Sequence, residues 1–338
     1  MLRVISSKVF VDFRRTMASV GRYVGTTKRG LTKEFSVPVP WGEIVGKTWG
    51  DEKNPPIICL HGWLDNCNTF DKLIPLLPQD FYYVTFDVPG HGLSSHFPKG
   101  SFYFTAAYSS VLKRVIDHFK YDNVSIMGHS MGANIATYFG AIYPEIVSRI
   151  IAIDTAGIWF RQKEDLITGL RSCIDTHLAF ETAEPRPEKE YTYEQAKERL
   201  RAANKNLNDE SVEILLERGM RELDNGNFIF RRDIRHLFKD PLERGFETSL
   251  TIAEGLKADI FFVWAKKGLY KIIKERYPDI AEVHKAFQKN TKSFSYVEIA
   301  GNHHLHLCTP EESAKHITEF LRNHPVQKEG ENGNGSNL

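Results

Sequence analysis

The sequence predicts a mostly parallel, doubly wound α/β sheet interrupted once by a helical insertion. Three observations carry that prediction. Short, mostly apolar runs recur at residues 57–60, 82–86, 124–127 and 150–153, and such runs are strands buried on both faces, as in a parallel sheet. Stretches of helical character alternate with them over short connections, which implies right-handed crossovers. The alternation stops after Gly157, gives way to charged, helix-forming sequence as far as residue 250, and resumes with the strand-like run 259–264.

Residues 1–30 read as a flexible leader. The first 25 positions carry Arg3, Lys8, Arg14, Arg15 and Arg22 against the single acid Asp12, a composition shared by mitochondrial transit peptides and unstructured leaders. Residues 34–40 and 43–49 flank Trp41-Gly42 with rough alternation and read as a β-hairpin. Pro55-Pro56 opens the strand 57–60, which runs into His61-Gly62-Trp63, and a short helix is expected over 69–77. The strand 82–86 ends in Asp87-Val88-Pro89-Gly90-His91-Gly92, and residues 105–119 have the 3.6-residue spacing of a helix. The strand 124–127 leads into Gly128-His129-Ser130-Met131-Gly132, a helical run follows over 133–141, and the strand 150–153 ends in Asp154.

Helices are expected over 162–180, 193–204 and 210–223, broken by Pro185 and Pro187, with no obvious buried strand between them. Residues 157–250 therefore read as a helical cap inserted over the strand ends. The core, 31–156 and 251–324, closes with a largely helical stretch 272–288, a strand 293–299 and a helix 311–321 behind Pro310; the polar, Gly-rich tail 325–338 reads as disordered. Ligand sites in doubly wound sheets lie at the carboxyl ends of the strands, where this reading puts His61, Asp87, Ser130 and Asp154.

Composition narrows the functional classes. With 41% hydrophobic and 26% charged residues and a formal net charge of +1, the chain has an ordinary globular balance and no basic block to suggest a nucleic-acid partner. Cys59, Cys67, Cys173 and Cys308 lack CxxC spacing, which fits reduced thiols in an intracellular protein rather than zinc or a disulfide framework. No apolar run has the length of a membrane span. The chain ends in Ser336-Asn337-Leu338, one residue from a peroxisomal Ser-Lys-Leu address. Cytoplasm and peroxisome are thus the expected compartments, with the mitochondrion as the alternative from the basic leader. Oligomeric state leaves no mark in the sequence.

The chemistry centres on Ser130. A strand that ends and a helix that begins there must be joined by a sharp turn, and glycines at 128 and 132 remove the Cβ atoms that would clash. The turn lifts the serine hydroxyl above the sheet and leaves the Met131 N–H at a helix N-terminus, where negative charge is favoured. The alternative is a Gly-rich strand–helix turn with an incidental serine.

Over roughly residues 33–323 the sequence resembles the α/β-hydrolase superfamily. His61-Gly62-Trp63, the Asp87-x-Pro-Gly-His-Gly-x-Ser94 segment, Gly-His-Ser130-Met-Gly and Gly301-Asn302-His303 occur in the family's order. Within that superfamily it looks most like the serine hydrolase-like, kraken-type group, on Gly-Asn-His-His-Leu-His-Leu and the absence of the usual acid after the 259–264 strand. The resemblance implies a serine hydrolase without cofactor or metal. Its base would be His303, which follows the Gly301-Asn302 pair, with His304 second. The acid is displaced: 265–270 (Ala-Lys-Lys-Gly-Leu-Tyr) holds no carboxylate, while some members place the acid at the position of Asp154. The competing role for Asp154 is to cap the start of the insertion.

By the same resemblance, the Trp63 N–H joins the Met131 N–H in an oxyanion hole, Gly62 permits close backbone approach, and His61 and His129 support the loops around the pocket. Asp87 and His91 read as structural. His303-His304-x-His306 lacks partner carboxylates at ligand spacing, so no metal site is expected. A serine nucleophile points to ester, thioester or amide hydrolysis through an acyl-enzyme, with a small hydrophobic ester the leading substrate. The alternatives are a thioester hydrolase and a low-turnover binding or sensor protein.

Overall fold

The computed structural model describes residues 26–27, 30–184, 187–238, 240 and 244–325. Among them, eight strands form one sheet: β1 (Lys33–Val39), β2 (Gly42–Trp49), β3 (Pro56–Leu60), β4 (Tyr82–Phe86), β5 (Val124–His129), β6 (Val147–Ile153), β7 (Asp259–Lys267) and β8 (Ser293–Asn302). Their spatial order is β8-β7-β6-β5-β3-β4-β2-β1. The hairpin β1–β2 and the pair β2–β4 are antiparallel, and every other neighbouring pair is parallel.

Alternation along the central strands divides the core. Ile58, Leu60, Ile126, Ile150, Ala152, Ile260 and Phe262 join a cluster with helices α1 (Thr105–Phe119), α2 (Met131–Ile142), α6 (Phe246–Gly255) and α8 (Ile280–Asn290). Ile57, Cys59, Met127, Ile151, Ile153, Phe261 and Val263 face the other way, onto Phe70, Leu73 and α10 (Pro310–Asn323). Both faces are thus covered, which is why these strands read as apolar runs rather than as alternating ones. The chain leaves β3 in one direction for β4 and returns to place β5 on the other side. The loops after β3 and β5 therefore diverge at a topological switch point, where α/β sheets bind ligands.

The segment between the adjacent strands β6 and β7 carries α3 (Lys163–Thr182), α4 (Tyr193–Ala203) and α5 (Asp209–Gly219). Ala196, Val212, Leu215 and Leu216 pack there with Leu307 in a small cluster of their own. Arg218 of α5 ties this segment to the sheet through Asp87 Oδ2 (2.6 Å) and Glu34.

Several expected elements are corrected. Residues 69–77 form two short 3₁₀ turns, Cys67–Phe70 and Ile74–Leu76, with Pro75 in the second. The helix expected over 210–223 ends at Gly219, and Met220–Glu222 pairs instead with Phe228–Phe230 in a two-stranded ribbon. Residues 272–288 divide between α7 (Leu269–Arg276) and α8, because Pro278 interrupts the helical hydrogen bonding. Helix α6, whose first turn was expected inside the insertion, packs against α2 and α8 beneath the sheet. The leader, apart from the short pairing of Thr26–Thr27 with Gly30–Leu31, and the tail beyond Pro325 fall outside the described residues. No helix among the described residues is long and apolar enough to cross a membrane.

Candidate active site

Ser130 stands between the last residue of β5 and the first of α2, with φ +52° and ψ −113°. Its N–H continues the sheet ladder to Ile153 O (3.0 Å), while its C=O accepts from Ala133 and Asn134 and so opens the helix. One residue thus belongs to both hydrogen-bonding systems, and the positive φ is the conformational cost. A Cβ on Gly128 would strike the Ala133 backbone, and one on Gly132 the Leu60 carbonyl. The sequence has glycine where a side chain would force β5, α2 and β3 apart.

Asp154, at the end of β6, also takes a positive φ, +46°. The expected alternative, a cap on the start of the insertion, is not what its carboxylate does. Oδ1 accepts from Ala265 N (3.1 Å) and Oδ2 from Leu269 N (2.7 Å), the first residue of α7. The turn after β7, which has no acid of its own, therefore holds one supplied by the neighbouring strand. Asp154 Oδ2 also lies 2.7 Å from His303 Nδ1. In that pair Nδ1–H donates to the carboxylate, so the neutral ring keeps its lone pair on Nε2.

His303 follows β8, and its C=O accepts from His129 Nε2 at 2.8 Å. His129 therefore braces the His303 backbone. Burial, with His303 nearby, lowers the His129 pKa to about 4. His61 is fully buried: Nδ1 donates to Gly62 O (2.8 Å) and Nε2 accepts from Val88 N (2.9 Å), fixing the loop after β3 to the loop after β4. Gly62 lies against the His129 ring, where a Cβ would collide with Nδ1. Trp63 is half exposed, and its indole N–H donates to His236 O in the inserted segment (2.9 Å).

Asp87 is wholly buried among Cys67 N, Leu93 N and Arg218. Burial raises its pKa, but Arg218, His61 and the two N–H groups outweigh that and hold it ionised. His91 accepts from Leu64 N and lies tilted against the His236 ring, with centroids 3.9 Å apart. Both residues brace loops, as expected.

Ser130, Met131, His303 and Trp63 line one cavity of about 490 Å³. Tyr108, Trp159 and Phe238 add aromatic wall, and Asn204, Asp240 and Arg244 polar edge. Apart from Tyr108, these wall residues come from the inserted segment and were not singled out from sequence, since no local motif marks them. Asp65 was missed as well. It is buried against His304 Nε2 (3.2 Å) and His129 Nδ1 (3.6 Å), and only its place just after His61-Gly62-Trp63 hinted at a role. His306 is fully buried, with Nε2 2.9 Å from Thr69 Oγ1.

A strained serine at a strand–helix elbow and a buried aspartate–histidine pair opening on its cavity, over this sheet, are features of a hydrolase. Residues 55–254 match the family model for the α/β hydrolase fold, and the chain belongs to that family. It is 41% identical over 320 residues to a serine hydrolase-like protein of Danio rerio, covering 94% of this chain and 97% of that one. It is 36% identical over 304 residues to serine hydrolase-like protein 2 of Homo sapiens, covering 87% and 95%. These relatives put the chain in the serine hydrolase-like group. Among solved structures, a hypothetical protein of Pseudomonas aeruginosa PAO1 superposes with a TM-score of 0.75 at 25% identity, over 86% of this chain and 98% of that chain. A thioesterase domain from the curacin biosynthetic pathway shares the fold, with a TM-score of 0.70 at 21% identity over 85% and 99%.

Proposed function

We propose that the protein is a serine esterase that cleaves a hydrophobic acyl ester through an acyl-enzyme on Ser130. The observation that carries this reading is the 2.7 Å contact between His303 Nδ1 and the buried Asp154 carboxylate, on the wall of the cavity that Ser130 also lines. Asp154 selects the tautomer with a basic Nε2, which takes the Ser130 proton as Oγ attacks the ester carbonyl. It then stabilises the imidazolium that results. The N–H groups of Met131 and Trp63 receive the developing oxyanion; Met131 opens α2, and the first N–H groups of a helix have no partner within it. His303 returns the proton to the leaving alkoxide, and water repeats the sequence in reverse to release the acid.

The inserted segment ahead of α6 acts as a cap over the strand ends, and Trp159 and Phe238 supply wall for an apolar acyl chain. Hydrolysis of p-nitrophenyl esters and matched thioesters of increasing chain length, by wild type and Ser130→Ala, tests the reading. Ester turnover that favours medium or long acyl chains and falls roughly 10⁴-fold or more in the variant is expected. Turnover equal in the two proteins would overturn it. Preference for the thioester series would move the substrate class, and saturable ester binding without turnover would make the chain a binding protein.

A further inference from the structure

Asp65, His129 and His304 are drawn from the loop after β3, the end of β5 and the loop after β8. They converge so that one ligand atom from each lies within 4.8 Å of the others. All three are buried, yet all three line the cavity that holds Ser130. His129 Nε2 gives its hydrogen to His303 O, so in the neutral ring Nδ1 is a bare lone pair. That nitrogen has no hydrogen-bond partner, and the nearest charged atom, Asp65 Oδ2 at 3.6 Å, is itself an acceptor. Two electron-rich atoms face each other, an arrangement that a cation between them relieves.

We propose that Asp65, His129 and His304 form a binding site for a divalent transition metal of the zinc type, with a cavity water as fourth ligand. Zinc bonds nitrogen and carboxylate oxygen at about 2.0–2.2 Å in a tetrahedron, which sets donors about 3.3–3.6 Å apart. The measured separations from Asp65 Oδ2 are 3.2 Å to His304 Nε2 and 3.6 Å to His129 Nδ1. His304 binds in its Nδ1–H tautomer, releasing Nε2 to the metal. The His129 ring is already aimed by its bond to His303 O, as metal-bound histidines are aimed by the hydrogen bond at the other nitrogen. The sequence suggested no such site because the carboxylate lies 239 residues from His304.

Occupancy has a consequence that rests on the esterase reading. A metal on His129 and His304, which line the cavity of Ser130, brings its own water into the space an ester would fill, so zinc inhibits hydrolysis reversibly.

Calorimetric titration of Zn²⁺ into the EDTA-treated, desalted full chain tests the site itself, with the visible spectrum of the Co²⁺ form as a second readout. One equivalent of zinc and a tetrahedral cobalt spectrum are expected. Asp65→Asn and His304→Gln, each checked for native circular dichroism, should weaken binding by more than about tenfold. Cys308→Ser, which removes the thiol four residues beyond His304 in sequence, should bind as wild type does. Wild-type binding no tighter than in both ligand variants, or binding lost only in Cys308→Ser, would overturn the proposal. The titration needs no turnover, so a chain without esterase activity that still binds zinc through these residues would refute the functional reading and leave the site standing.

Discussion

Ser130 and Asp154 both stand at the end of a parallel strand with positive φ. Such backbone costs on the order of 1–3 kcal/mol per residue and persists only where the surroundings over-determine it. For Ser130 the determinants are local, and glycine at 128 and 132 makes them legible in five consecutive residues. For Asp154 they lie 111 and 115 residues away, at Ala265 and Leu269, so the sequence indicated it by its place at a strand end and by the missing acid after β7, not by any local motif. Gly268 sharpens the point. Its backbone has ordinary negative φ, but a Cβ there would occupy the place of the Asp154 carboxylate. Gly268→Ala is therefore expected to lower kcat by at least about tenfold, as expected when a small displacement misplaces a catalytic group, with little change in KM. Gly245→Ala, where a Cβ meets nothing within 4 Å, should leave kcat unaltered. Equal kcat in the two variants would separate Asp154 from the chemistry.

At the scale of elements, the strands were legible because burial on both faces leaves an apolar run that no surface helix would carry. The failures occurred where the same composition suits two structures. Residues 69–77 are apolar enough for a helix, yet Asn66 caps one 3₁₀ turn and Pro75 sits in the next. Residues 246–255 look like the helices before them, and only their packing on α2 and α8 assigns them to the sheet. The inserted segment is held by α5. Arg218 reaches the fully buried Asp87, and the Asn66 and Asn68 amides donate to the carbonyls of Leu215 and Ile214. Replacing Arg218 by Met keeps the stem but strands a buried carboxylate, a change worth about 3–5 kcal/mol of stability. Urea unfolding checks this; a loss below about 1 kcal/mol, the worth of a surface pair, would mean that α5 is not anchored there.

Across the whole molecule, the fold stores histidine in dry places. Burial lowers the pKa of His91 to about 3 and of His129 and His284 to about 4, and drives His236 and His306 well down. Unfolded, each titrates near 6.5. Between that value and about 4 the unfolded chain binds protons that the native chain refuses, so stability must fall as pH falls through this window. The depressed carboxyls Asp87 and Asp233 act lower. Their stabilisation is present above the ordinary carboxyl range and is lost only as pH drops through their native values. Unfolding free energies measured from pH 7 to 4.5 should decline with a net uptake of at least about two protons near pH 5, each worth ~1.4 kcal/mol per pH unit. A flat profile would mean that these rings are solvated.

Only the assembled molecule brings Ser130 and His303 to one cavity with Asp154 buried behind His303, and whether that cavity makes serine a nucleophile is open to direct measurement. A fluorophosphonate probe reports it through the intact mass of the protein and the labelled peptide. Wild type should form one adduct on Ser130, Ser130→Ala none, Asp154→Asn should react more slowly by up to about 10⁴-fold, and Glu275→Gln, which changes the first carboxylate after the acid-free turn 265–270 and lies in α7, at the wild-type rate. Equal labelling of wild type and Ser130→Ala, or an Asp154→Asn variant that reacts as fast as wild type, would contradict the account.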